Sequence, residues 1–161
     1  MFRVTTYLEM KEPREHRRKA CADPGFTVQE ERDWRVNREM NAGVGAQYHW
    51  PMGWTEDHWK AWADNPSVRT WIACKDGGKA GYFELQKHEA GNVELVRFGL
   101  LPAFIGHGLG GPLLSVMIDE AWRWGATRIW FHTCSLDHPS ALPNYLARGF
   151  RIFKRVEEDL P

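Results

Sequence analysis

The sequence predicts a single α/β (α+β) domain, with a mixed, mostly antiparallel central sheet flanked by helices. Three observations carry this expectation. Turn signals at Gly77-Gly78 and Ala90-Gly91-Asn92 divide residues 68–101 into consecutive strands, the pattern of antiparallel hairpins. Helix and strand patterns then alternate from residue 109 onward, as in β-α-β-α-β units. The 161 residues contain no internal repeat, low-complexity tract or long linker. A chain of that size buries roughly 68–70% of its unfolded surface, enough for one core.

Phe2 to Met10 is rich in β-branched and aromatic residues and predicts a first strand. The charged stretch from Pro13 to Asn41 predicts helices on either side of a turn at Asp23-Pro24-Gly25. Glycines between Gly43 and Pro51 predict a loop. Thr55 followed by Glu56 and Asp57 predicts a capped helix running to Asn65-Pro66. Strands follow at 68–75, 79–87 and 93–101. Leu113, Met117, Ala121 and Trp124 recur at helical spacing, predicting a helix over about 109–124. Pro112 fits its first turn and Gly125 its C-terminal stop. A strand over 127–134, a short helix over 139–148 and a strand over 150–156 complete the pattern.

Lys and Arg number 21 and Asp and Glu number 21, so the formal net charge is +0 and no bulk attraction to nucleic acid is expected. No apolar run approaches the ~20 residues of a membrane helix, and the N-terminal residues lack a leader's apolar core. Cys21, Cys74 and Cys134 form no C-x-x-C pair, so a reduced, cytoplasmic setting without disulfides is expected. His132, Cys134 and His138 lack metal-ligand spacing, so no metal is expected.

Two segments carry chemistry. In Leu100-Leu101-Pro102-Ala103-Phe104-Ile105-Gly106-His107-Gly108-Leu109-Gly110-Gly111 a strand ends, a glycine-rich turn follows and a helix begins. Such a turn offers free N–H groups and a helix dipole to a phosphate; a plain tight turn is the competing reading. A dinucleotide-binding fold is excluded, because its glycines follow the first strand, whereas here about 100 residues precede them.

The second segment is Asp137-His138-Pro139-Ser140-Ala141-Leu142-Pro143-Asn144-Tyr145-Leu146-Ala147-Arg148-Gly149-Phe150. Together the two resemble the Gcn5-related N-acetyltransferase (GNAT) superfamily. Ile105-Gly106-His107-Gly108-Leu109-Gly110 lines up with that family's Gln/Arg-x-x-Gly-x-Gly/Ala motif, and His138, Ala141, Tyr145, Gly149 and Phe150 with its Asn-x-x-Ala-x-x-x-Tyr-x-x-x-Gly-Phe motif. Ile105 and His138 depart from the usual Gln or Arg and the usual Asn. The resemblance covers residues 67–156 as the acyl-CoA-binding core and leaves 1–66 as acceptor-side helices and loop, all within one GNAT-fold domain. It implies acetyl-CoA as cosubstrate. Main-chain N–H groups of Ile105, Gly106, His107, Gly108, Leu109, Gly110 and Gly111 would hold the pyrophosphate, with His138 and Asn144 beside them. The strand edge at Phe98, Gly99 and Leu100 would bind the pantetheine arm and polarise the thioester carbonyl. Tyr145 would protonate the leaving thiolate.

The acceptor implied is a primary amine of a small molecule, acetylated by direct transfer; a peptide or protein amine and a noncatalytic acyl-CoA-binding module are the alternatives, and a homodimer is allowed. Glu84 and Glu94, each mid-strand, are the candidate bases, with solvent exposure the competing reading. Tyr48, His49 and Trp50, in a Gly- and Pro-punctuated loop, are candidates for the acceptor pocket. Arg97 is expected either to pair with a Glu or to hold a substrate carboxylate. His132, also a candidate, shares a strand face with Trp130 and Cys134, a pattern more usual for core.

Overall fold

In the computed structural model, which describes residues 2–161, the elements run β1 (Phe2–Met10), β2 (Phe26–Glu31), α1 (Trp34–Gly45), α2 (Glu56–Asp64), β3 (Val68–Lys75), β4 (Gly78–Lys87), β5 (Asn92–Leu100), α3 (Gly110–Arg123), β6 (Arg128–Cys134), α4 (Ala141–Ala147) and β7 (Arg151–Asp159). The seven strands form one sheet in the order β2-β3-β4-β5-β6-β1-β7. Only the β5–β6 pairing is parallel; the others are antiparallel. The first strand is therefore inserted between the last two, and the N-terminal segment contributes to the far half of the sheet.

Alternation along β4 separates two cores. Phe83 and Leu85 join Leu113, Met117 and Ile118 of α3 and Phe131 of β6 in the larger one. Tyr82 and Ile72 pack instead on Val36, Met40 and Val44 of α1. Helices α3 and α1 thus cover opposite faces of the sheet. Pro112 lies in the first turn of α3, and Gly125, at φ 96°, follows its C-cap, as expected.

Two local expectations are corrected. The first concerns the charged N-terminal stretch. Of the helices expected around Asp23-Pro24-Gly25, only α1 forms; a 3₁₀ turn (Pro13–Glu15), an extended strap and β2 occupy the rest. The strap's polar groups are used to fasten it across α3 and α4. His16 Nε2 and the Lys19 N–H reach Ser115 Oγ at 3.1 and 2.9 Å, and the Arg17 N–H donates to the Arg148 carbonyl at 2.9 Å. In β2, Phe26 and Val28 pack on the core while Thr27 and Gln29 are exposed, a period of two within the charged stretch. The second correction concerns the loop expected from Gly43, since α1 continues to Gly45. Its glycines serve close packing. A Cβ on Gly43 would lie 2.6 Å from Leu101 Cδ2, and one on Gly45 2.6 Å from the Trp50 ring.

Candidate active site

The site begins with a fault in the β4–β5 ladder. Glu84 pairs with Arg97 and Leu85 with Leu95, so Val96 is an extra residue, a β-bulge that bends β5. Beyond it β5 parts from β6, whose pairing is confined to Asn92–Glu94 against Arg128–Trp130. A cavity of about 890 Å³ opens between the diverging strands, lined by Phe98, Gly99 and Leu100 on one side and Phe131, His132 and Cys134 on the other. The β5 edge facing it is unpaired and suited to an extended ligand arm.

The glycine-rich turn forms one end of this cavity. Gly106 and Gly108 adopt φ 84° and 75°, the left-handed region that L side chains rarely adopt, and a Cβ on either would meet nothing within 4 Å. The backbone there borders open space that a ligand can fill. Ile105, Leu109, Gly110 and Gly111 also line the cavity, whereas the His107 side chain is exposed and outside its wall. Asn144 lies against the start of α3, its side chain 3.6 Å from would-be Cβ atoms on Gly110 and Gly111. A Cβ on Gly111 would also meet Lys19 Cδ and Arg148 Nη1, each at 2.7 Å. Two cations therefore flank the first turn of α3, where the dipole already favours an anion. Lys19 arrives on the strap and carries no sequence signal of this position.

Tyr145 lies in the cavity wall, 7% exposed. Its ring is edge-on to Phe131 at 4.6 Å and to Phe98 at 6.2 Å. Burial, with smaller contributions from Asp137 and Tyr48, holds its phenol far above the usual range, so it remains a proton donor at neutral pH. The loop after α1 closes another side with Tyr48, His49, Trp50 and Pro51. His49 has φ 61°, unusual for a non-glycine residue. Tyr48 meets His138 edge-on at 6.5 Å, and burial followed by the Asp137 charge raises its phenol too.

The two carboxylates expected as bases are not in this cavity. Glu84 is fully buried beneath α1 and α2, bound by Asn37 Nδ2 at 2.9 Å, Trp62 Nε1, and Arg97 Nη1 at 3.2 Å. Its oxygens are occupied by structural donors. Glu94 lies where β5 and β6 still pair and meets His88 Nε2 at 2.9 Å. Arg97 takes the ion-pair alternative. Its guanidinium is held by Glu84 and caged by Trp54, Trp59 and Trp62, with ring centroids at 5.0, 5.6 and 5.5 Å. His132 departs from the core reading: Ile129, Phe131 and Thr133 form the buried face of β6, and His132 is exposed at the cavity beside Tyr7, ring centroids 5.4 Å apart.

Sequence reasoning missed the contributions of Arg3, Thr5 and Tyr7, because inserting β1 beside β6 is a long-range pairing without a local signal. It also missed Asp137. That carboxylate lines the cavity, with Oδ2 accepting from Thr133 Oγ1 and from the Cys134 N–H at 2.9 Å. Among the described residues no group of three or more His, Cys, Asp or Glu is arranged to hold a metal, and no helix is long and apolar enough to cross a membrane.

Residues 29–150 match the model of the acetyltransferase (GNAT) family. The chain belongs to the GNAT family. Its fold is the GNAT fold, with the seven-stranded mixed sheet and four helices described above. Among solved structures, it is similar to a GCN5-related N-acetyltransferase from Kribbella flavida, with TM-score 0.74 and 17% identity, over 96% of this chain and 56% of that one. It is also similar to the ribosomal-protein-S18-alanine N-acetyltransferase of Escherichia coli, with TM-score 0.63 and 20% identity, over 78% of this chain and 77% of that one. Curated relatives from Mycobacterium bovis and Mycobacterium tuberculosis, each an uncharacterized N-acetyltransferase, are 32% identical over 80 residues, 50% of this chain and 51% of theirs. The chain thus spans about half the length of the curated relatives it matches.

Proposed function

We propose that this GNAT protein moves an acetyl group from acetyl-CoA to a primary amine of a small molecule, by direct transfer. One observation carries the reading: the cavity between the parted β5 and β6 joins an anion-favouring glycine turn at one end to a buried, protonated tyrosine in its wall. Main-chain N–H groups from Ile105 to Gly111, with Lys19 and Arg148 beside them, suit the pyrophosphate of coenzyme A. The free edge of β5 from Phe98 to Leu100 suits the pantetheine arm, and an N–H of that edge would polarise the thioester carbonyl. When bound, acetyl-CoA supplies the activated acetyl group. Tyr145 holds a proton for the departing sulfur.

The aromatic loop from Tyr48 to Pro51 supports a small acceptor, since it walls the cavity with rigid rings. Tyr145 supports catalysis over mere binding, because a binding module has no use for a proton donor at that position. The test is acetyl-CoA-dependent release of free thiol over a panel of amines, amino acids, aminoglycosides and peptides. Turnover of small amines is expected. Turnover confined to peptides would move the acceptor to the protein class, and stoichiometric binding without turnover on any acceptor would overturn the reading.

A further inference from the structure

An alkylamine of pKa near 10.4 is mostly protonated at neutral pH, so attack on a thioester requires a proton acceptor in the cavity. Two carboxylates line it among the described residues, Asp137 and Glu158. Glu158 is ion-paired with Arg3, whose Nε at 2.8 Å and Nη2 both donate to its Oε1, and that cation opposes proton uptake. Asp137 differs. One oxygen, Oδ2, is clamped by the Thr133 hydroxyl and the Cys134 N–H. The other, Oδ1, has no nitrogen or oxygen donor within hydrogen-bond distance among the described residues; the Cys134 thiol lies 3.9 Å from it.

We propose that Asp137 is the catalytic base that removes the first proton from the acceptor's ammonium group. The inference rests on the acetyl-transfer reading and goes beyond it, since it selects amines that arrive protonated. The clamp fixes the carboxylate by one oxygen and leaves the other to receive a proton, a division suited to a base. The groups around it are Cys134 on β6, Tyr48 from the loop after α1, His138 beside it and Tyr145 on α4, with Arg3 and Glu158 of the same cavity beyond. Both phenols are raised partly by its charge, which puts the carboxylate near the proton donor as well as near the acceptor loop.

The step balances. The ammonium gives one proton to Oδ1, and the freed nitrogen pair forms the C–N bond. The C–S bonding pair leaves on sulfur, which takes the Tyr145 proton. The second nitrogen proton restores Tyr145, and the proton on Asp137 passes to water.

The test compares phenethylamine, protonated at neutral pH, with aniline, already neutral, in wild type and Asp137→Asn. Asparagine keeps an oxygen for Thr133 and the Cys134 N–H but loses the negative charge. For phenethylamine kcat/KM is expected to fall by about 10²–10⁴-fold, while for aniline it changes little. The ratio of the two rates does not depend on the fraction of protein folded, so partial destabilisation cannot imitate the result. Equal losses for both amines, or no loss for either, would overturn the role of Asp137. A wild type inert toward every amine would instead overturn the acetyl-transfer reading, and this proposal with it.

Discussion

Replacing Tyr145 with Phe removes one hydroxyl from a ring that packs edge-on against Phe131 at 4.6 Å and Phe98 at 6.2 Å. Those contacts survive the change. No described protein group bonds the hydroxyl, so stability should stay within about 0.5 kcal/mol of wild type. Coenzyme A affinity should be equally unaffected. Turnover is another matter. A positioned acid contributes about 10²–10⁴-fold, equivalent to roughly 3–5 kcal/mol of barrier at about 1.4 kcal/mol per decade. The loss should appear in kcat and in kcat/KM alike, with the acceptor KM nearly constant, as for an interaction made only in the transition state. The assay is single-turnover thiol release, so that product release does not mask chemistry. The pH dependence supplies a second check. Burial raises the Tyr145 phenol, so the fully active, protonated form persists past pH 10 and this residue causes no alkaline loss at the ordinary phenol pKa. Full activity in Tyr145→Phe would remove Tyr145 from the proton transfer and leave water as the donor.

Glu84→Ala should behave as a structural lesion, because it leaves the Arg97 guanidinium without its buried partner. A loss of about 3–5 kcal/mol is expected by denaturant melting, with coenzyme A affinity of the folded protein retained; unchanged stability with lost turnover would return Glu84 to catalysis. His16 ties the strap to α3, and burial, partly opposed by Asp119, holds its pKa below the ordinary value. The unfolded chain then takes up a proton first as pH falls. Its stabilising contribution is present above about pH 6.5 and declines as pH drops through that value toward the folded-state pKa. Between about pH 7.5 and 5.5 the wild type should lose more stability than His16→Gln; equal losses would refute the assignment.

Much of the fold was legible because its signals were local. The hairpin glycines, the Thr55 cap, the Pro112–Gly125 brackets of α3 and the apolar stripe between them act within a few residues, and each element lies where they indicate. The glycine turn and Tyr145 were legible as paired motifs, and both border one cavity. What escaped was set by distant partners. Gly43 and Gly45 read as loop because the residues that require them, Leu101 and Trp50, are not encoded nearby. The charged strap read as helix because its anchors, Ser115 and Asp119, lie about 100 residues away. Glu84 read as a base because a buried mid-strand carboxylate looks alike whether it faces a substrate or the Arg97–Asn37–Trp62 cluster. Asp137 had no signal beyond its place before α4.

Calorimetric titration of coenzyme A into wild type, Gly108→Ala and Lys19→Ala tests most directly whether the cavity is an acyl-CoA site. Alanine at residue 108, where φ is 75°, directs a Cβ into the open cradle, at a folding cost of about 1–2 kcal/mol that melting without ligand measures separately. Wild type should bind one coenzyme A per chain and melt at a higher temperature with it, and both variants should bind more weakly. Absence of binding to wild type, or affinities unchanged in both variants, would contradict the assignment of this cavity.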